Sequence, residues 1–331
     1  MDAEDIMKRV GVFALILVVV VGGVAASAAM NQPAGPTPAD LTDVEVGSFD
    51  PSTITASTPA TTGQITMSED ASGEVVLIDL AHENDVSEEQ LGPVVRALSR
   101  NGAEVRFLTR DEARGPAFNE SLRQADAFVS ISPGAGFSGA QLNGLAAFED
   151  AGGRVLLLGE PMEMGFGGTF FFAPPEAENP APMASVASQF GLAFGNGYLY
   201  NMAENANNYR KVYATPAGTS GMAEGIDRVV VREGVPVQGG ESFLTAIEGT
   251  AVSTTREQST YAIGATSGNV TAVGDATFFT ETGYQEADNE VLTGHLLDFL
   301  VGGEKVPGVP GGQDETGAES GAESPPRPPQ R

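Results

Sequence analysis

VVLIDLAHENDVSEEQLGPVVRALSRNGAEVRFLTR, residues 75–110, decides the fold. Its first six residues are a short apolar run of the kind that suits a parallel strand buried on both faces. Ser87 follows, with Gln90 three residues on, a capping box that opens a helix. Leu91, Val94, Val95 and Leu98 then recur at helical spacing, and Gly102 ends the element. EVRFLT, residues 104–109, is the second strand. The pattern repeats downstream. A short helix is expected over 117–124, and AFVSIS at 127–132 is a third strand. Ser138 with Gln141 is a second capping box, and Leu142, Leu145, Ala146 and Phe148 carry its helix to Gly152-Gly153. RVLLLG, residues 154–159, is the fourth strand.

Such βαβα order predicts an α/β fold, a parallel sheet flanked by helices in the flavodoxin-like manner. Ligands on that architecture bind beyond the carboxyl ends of the strands. Attention therefore falls on loops 80–86, 132–137 and 159–180. The second half is less regular. Met183–Phe190 is expected to be helical. Strands are expected at Arg228–Val231, Phe243–Ile247 and Ala251–Thr254. Tyr261–Thr266, Ser267-Gly268-Asn269 and Val270–Gly274 read as a hairpin, and a last helix covers 287–301. Its inner stripe is Leu292, His295, Leu296 and Phe299, which makes His295 a core histidine. Phe170, Phe171 and Phe172 are either an interaction patch or fold back onto the core.

Outside this core the chain changes character. VGVFALILVVVVGGVAASAAM, residues 10–30, carries no charge and as a helix is long enough to span a bilayer. Lys8 and Arg9 precede it, and no cation follows before Arg96, which keeps residues 1–9 in the cytoplasm and sends the rest outside. Ala26-Ser27-Ala28 also resembles a signal-peptide cleavage site. Both readings place the body beyond the membrane: a single-pass cell-membrane protein whose C-terminal domain is extracellular, or a secreted one. Residues 31–73, rich in Pro, Thr and Ser, read as an extended stalk. Residues 304–331 are acidic and Pro/Gly-rich, with too little apolar surface to fold. The folded domain is thus placed at 74–303.

Net charge is −27, from 44 acids and 17 bases, and only Lys8, Lys211 and Lys305 are lysines. The acids are scattered among ordinary periodic segments. Acid-rich, lysine-poor surfaces resemble those of extreme halophiles, where concentrated salt screens the repulsion. Nucleic-acid binding needs a basic face and is excluded. The absence of cysteine excludes disulfides, thiolate metal sites and cysteine nucleophiles.

Three constellations could carry chemistry. Asp79 and His82 end the first strand, with Glu83 beside them, so that a carboxylate could orient the imidazole as a base or ligand; a turn-bridging histidine is the structural alternative. Ser132-Pro133-Gly134-Ala135-Gly136 frees backbone N–H groups that could cradle an anion, or makes a tight turn. Asp275 closes a late strand and, with Asp79, His82 and Glu160, offers an oxygen-rich set, although helix capping and solvation explain each acid singly and no metal or other cofactor is assigned. A Gly-x-Ser-x-Gly nucleophile turn is missing. Asn119 and Asn269 sit in glycosylation acceptor patterns, in segments expected to be loops.

VVLIDLAHEND, GAEVRFLTR, the AFVSISPGAGFSGAQLNGLAAFEDAGGRVLLLGEP stretch and VTAVGDATFFTETGYQEADNEVLTGHLLDFLVGG together resemble the family known as domain of unknown function 4350. Its glutamine-amidotransferase-like relatives include auxiliary subunits of ABC transporters and intraflagellar-transport-like domains. The resemblance covers 75–160 and 260–303. It implies a glutamine-amidotransferase-like fold. It puts Ser132–Gly136 at the family's anion-cradling loop and Gly159-Glu160-Pro161-Met162-Glu163 where active members carry Gly-x-Cys-x-Gly. No cysteine or serine stands there, so triad chemistry does not carry over. The expected function is a non-catalytic, membrane-held binding or scaffold domain for a protein or glycan partner. The alternatives are an accessory subunit of an ABC-type transporter, and a hydrolase using His82 with Asp79, Glu83 or Glu160.

The charge reading makes a prediction. Melting temperature is expected to rise steeply between about 0.1 M and molar salt, as the Debye length contracts from ~10 to ~3 Å; equal thermal stability in the two would refute the halophilic assignment.

Overall fold

The computed structural model describes residues 55–311, except 57, 62, 162–181 and 220. The apolar run 10–30, most of the stalk, Phe170–Phe172 and the tail beyond 311 lie outside the described residues. No helix among the described residues is long and apolar enough to cross a membrane.

The parallel half forms as the periodicity requires. Strand β2 (Val75–Asp79) leads through α1 (Gly92–Arg100) to β3 (Glu104–Leu108). Helix α2 (Pro116–Arg123), β4 (Ala127–Ile131), α3 (Gly139–Asp150) and β5 (Arg154–Leu158) follow. β4 is buried at every residue, because helices cover both sides. Val76, Ile78, Val129 and Ile131 face α1 and the closing helix α5 (Asn289–Val301). Leu77, Phe128, Val155 and Leu157 face α2, α3 and α4 (Pro182–Gln189). The alternation follows directly from the two-residue period of a strand.

The sheet is larger than expected and mixed rather than parallel throughout. The two-residue strands β1 (Thr55–Ala56), β6 (Ala193–Phe194), β7 (Leu199–Tyr200), β8 (Glu204–Asn205) and β11 (Val237–Gln238) lie outside the main sheet. β9 (Lys211–Pro216), β10 (Val229–Arg232), β12 (Glu241–Ala246), β13 (Ala251–Val252), β14 (Ala262–Ser267) and β15 (Val270–Val273) complete the set. The main sheet has the order β10-β9-β12-β14-β15-β5-β4-β2-β3. From β15 to β3 every pairing is parallel; from β10 to β15 every pairing is antiparallel. The physical reason is connection length. Parallel neighbours need a long crossover, which the helices supply, whereas the β14–β15 hairpin is closed by Gly268-Asn269 alone. Gly268 has φ +59° at the first loop position, where a type II′ turn needs glycine.

Three further expectations change. The Ser87/Gln90 pair does close reciprocally, Ser87 N–H donating to Gln90 Oε1 at 2.8 Å. Yet it caps a separate turn, because Pro93 has no N–H to give back to Glu89, and the helix begins only at Gly92 with proline in its first turn. His295 is not a core residue. It is half-buried, its Nε2 2.9 Å from the Glu224 carbonyl, while Leu292, Leu296, Leu297 and Leu300 fill the inner stripe. The ordered body also extends past 74–303 at both ends. Ile65, Met67 and Ala71, from the expected stalk, are buried in the core. The N–H groups of Ser68 and Glu69 donate to the Asp298 carboxylate at 2.9–3.0 Å. At the other end Lys305 donates to the carbonyls of Leu122 and Arg123, satisfying the last turn of α2.

Gly294 tests that packing. A Cβ there would lie 2.2 Å from the backbone oxygen of Thr66. Helix propensity alone favours Gly294→Ala by about 1 kcal/mol. The contact predicts the opposite sign, a loss of roughly 2 kcal/mol or more, with new protease sensitivity in 58–73. A Gly294→Ala chain with a raised melting temperature would show that the segment is not seated on α5.

Candidate functional site

The strand ends bring the candidates into two groups rather than one. In the first, Asp79 is fully buried at the end of β2. Its carboxylate accepts the Ala81 N–H at 3.0 Å and the Ser130 hydroxyl, from neighbouring β4, at 3.1 Å. Nδ1 of His82 lies 2.9 Å and 3.1 Å from the two carboxylate oxygens. Nε2 lies 3.0 Å from the amide nitrogen of Gln141. That amide is oriented by its own oxygen, which accepts the Ser138 N–H at 2.7 Å in the α3 capping box. Hydrogen bonding therefore assigns the tautomer: Nδ1 donates to Asp79 and Nε2 accepts from Gln141. The ring also stacks on Phe137, centroids 3.8 Å apart and planes 18° apart. His82 is 5% exposed.

The Ser132–Gly136 loop wraps this group. Ala135 N–H donates to the His82 carbonyl at 2.8 Å. Ser132 and Glu83 both hold positive φ, +42° and +56°, where the two strand ends turn against each other. Gly134 is required there, since a Cβ would meet the Glu83 oxygen at 2.9 Å. Gly136 has no such neighbour.

The second group lies across β5, where Glu160 and Asp275 follow the ends of adjacent parallel strands β5 and β15. The two carboxyl groups lie close enough for each to act on the other's proton. Asp275 is fully buried and accepts N–H groups from Arg232 at 2.8 Å and Thr277 at 2.7 Å, and the Thr277 hydroxyl at 2.8 Å. Glu160 accepts only the Ala276 N–H, at 2.7 Å. Burial pushes the Glu160 carboxyl up to about 9, with the negative Asp275 adding to it. Burial also raises Asp275, but its donors oppose the shift. Glu160 thus keeps the shared proton and Asp275 the charge.

Among the described residues no group of three or more His, Cys, Asp or Glu could hold a metal ion. Asn119 lies within α2 against Gly144, not in a loop. Asn269 is in the hairpin turn with its amide already used, Nδ2 donating to Glu149 and Oδ1 accepting from Arg154. Two determinants escaped the sequence reading. Gln141 was legible only as a capping residue, although a glutamine at that helix position is free to reach a neighbouring loop. Asn289, 1% exposed, clamps Val230 and Gly283 through both ends of its amide, and no local pattern announces it.

No family model matches the chain, and no curated protein matches it. Among solved structures it is similar to the mmIFT52 N-terminal domain, at 13% identity and a TM-score of 0.54, covering 68% of this chain and 97% of that one. At that identity the likeness concerns the fold alone: an α/β sheet with helices on both faces.

The carboxyl pair sets a pH dependence. Above the ordinary value of 4.5, an unfolded Glu160 loses its proton and the folded one keeps it until about 9. Stability is therefore fully present below that ordinary value and falls as pH rises through the window, by up to about 1.4 kcal/mol per pH unit for one full proton. At constant salt, Glu160→Gln is expected to flatten this slope in chemical denaturation between the two values. An unchanged slope would show that the proton is not held there.

Proposed function

We propose that the domain is a non-catalytic binding or scaffold domain of the glutamine-amidotransferase-like class, held at the outer face of the cell membrane by residues 10–30. The observation that carries this reading is the closed state of His82. Both ring nitrogens are engaged, one by Asp79 and one by Gln141, and the ring is stacked on Phe137. A general base must reach a substrate proton, directly or through one water; this imidazole has no free edge to offer. At the position where the resemblance puts a nucleophile stand Glu160, occupied by Asp275 and the Ala276 N–H, and Pro161. The first group ties loop 80–86 to loop 132–137, and the second holds 275–277 to Glu160, so that the strand ends present a rigid surface. A rigid, pre-shaped surface suits recognition, because little ordering entropy is lost on binding.

Two outcomes separate binding from hydrolysis. His82→Ala leaves a buried carboxylate without its partner and is expected to lose about 2–4 kcal/mol of stability. It is also expected to reduce capture of a protein or glycan partner from membranes in concentrated salt. Turnover of an ester, amide or glycoside by the intact chain, abolished in a folded His82→Ala or Glu160→Gln variant, would overturn the proposal in favour of a hydrolase.

A further inference from the structure

Three of the chain's six tyrosines, Tyr198, Tyr200 and Tyr209, meet on one surface, beside the Glu233 turn that borders Glu160. Tyr198 and Tyr200 have ring centroids 6.4 Å apart with planes at 63°, and Tyr200 and Tyr209 are 6.4 Å apart at 80°. Tyr261 stands near enough to Tyr200 for the phenols to influence each other, its own raised chiefly by burial. Arg210 braces the row. Its guanidinium lies 4.6 Å over Tyr198, its Nε donates to the Tyr209 hydroxyl at 3.0 Å, and Nη1 donates to Glu233 at 2.9 Å. Met202, 47% exposed, and Tyr209, 40% exposed, are two of the three large apolar side chains exposed among the described residues.

Rings set edge to face make ridges with slots between them, not a flat platform. Slots of this kind suit the pyrrolidine rings of a polyproline II segment, which reads aromatic-lined grooves with no internal hydrogen bonds to give up. A sugar ring instead needs one open, flat aromatic face. Three rings in a row cover about one polyproline turn, three residues or ~9 Å. Arg210 holds them in place beforehand, so that little side-chain entropy is lost on docking.

We propose that this tyrosine surface binds proline-rich segments, and that its occupant is residues 324–331 of the same chain, SPPRPPQR. Pro325, Pro326, Pro328 and Pro329 flank Arg327, which places prolines on successive faces of the helix they favour. Arg327 and Arg331 are the only cations after Lys305. The patch is rimmed by exposed Glu204, Glu248 and Glu257, so the charges match. The reach is also sufficient. The Pro310 carbonyl accepts from Arg123 beside β4. The patch adjoins β9, five strand spacings away, ~24 Å at ~4.8 Å each. The chain from 311 to 325 extends up to ~46 Å at ~3.3 Å per residue. This inference does not depend on the non-catalytic reading of the strand ends.

Hydroxyl-radical footprinting of the full chain, read peptide by peptide by mass spectrometry, tests it. The parent is compared with a chain carrying Pro325, Pro326, Pro328 and Pro329→Ala, a change outside the described residues. A tethered segment has an effective concentration near millimolar, so even a millimolar affinity should about halve the labelling of Tyr209 and Met202 in the parent. The protection is expected to be independent of dilution, lost in the tail variant and restored to it by excess SPPRPPQR peptide. Equal labelling of parent and tail variant would overturn the proposal. Protection that fades on dilution would assign the surface to a second copy, and protection that survives the tail change but yields to added oligosaccharide would assign it to a glycan; either result also overturns it.

Discussion

Val270–Val273 pairs in parallel with β5 on one side and antiparallel with β14 on the other, and the rest of the structure depends on that double pairing. It welds a helix-covered parallel half to an antiparallel half that could not bury its own faces alone. The strand itself is buried at all four residues. It also sets Asp275 beside Glu160, because parallel neighbours end on the same side of the sheet. Had the chain entered this strand from the opposite direction, the two carboxyl groups would lie at opposite edges.

The strand-end network follows the same logic of enforced proximity. A buried carboxylate needs several donors, and Asp79 draws them from β2's own turn, from β4 and from His82. His82 in turn is fixed by a glutamine whose first duty is to cap a helix. Each group is satisfied by another that is already constrained, so the network orders loops 80–86 and 132–137 together. The positive φ values of Glu83 and Ser132 sit where these loops are pressed together, as expected where surrounding contacts over-determine the backbone. Such a network stabilises shape, and both ring nitrogens of the histidine are engaged in it.

Burial does the reverse at Glu160. There the nearest partner is another acid, and the lower-energy arrangement keeps one proton between the two. The pair stays inside the fold because Asp275 receives two backbone N–H groups and a hydroxyl. On the outer surface the tyrosine row shows a third solution: aromatic rings left in contact with solvent, but immobilised by an arginine that is itself held by Glu233.

The parallel half was legible in residues 75–159 because its signals are local. Apolar runs of strand length, capping boxes at Ser87 and Ser138, and the stops at Gly102 and Gly152 each act within a few residues. The single misplacement, the start of α1, came from Pro93 breaking the turn that the capping box had begun. The α/β class and the identity of Asp79, His82, Glu160 and Asp275 as strand-end residues were equally readable. What joined them was not. Gln141 reaches His82 across 59 residues, Ala276 donates to Glu160 across 116, and Ser68 reaches Asp298 across 230. Periodicity fixes which face of an element is buried, but not which distant element covers it. That choice belongs to chain reversal and strand order, and only the folded structure decides it.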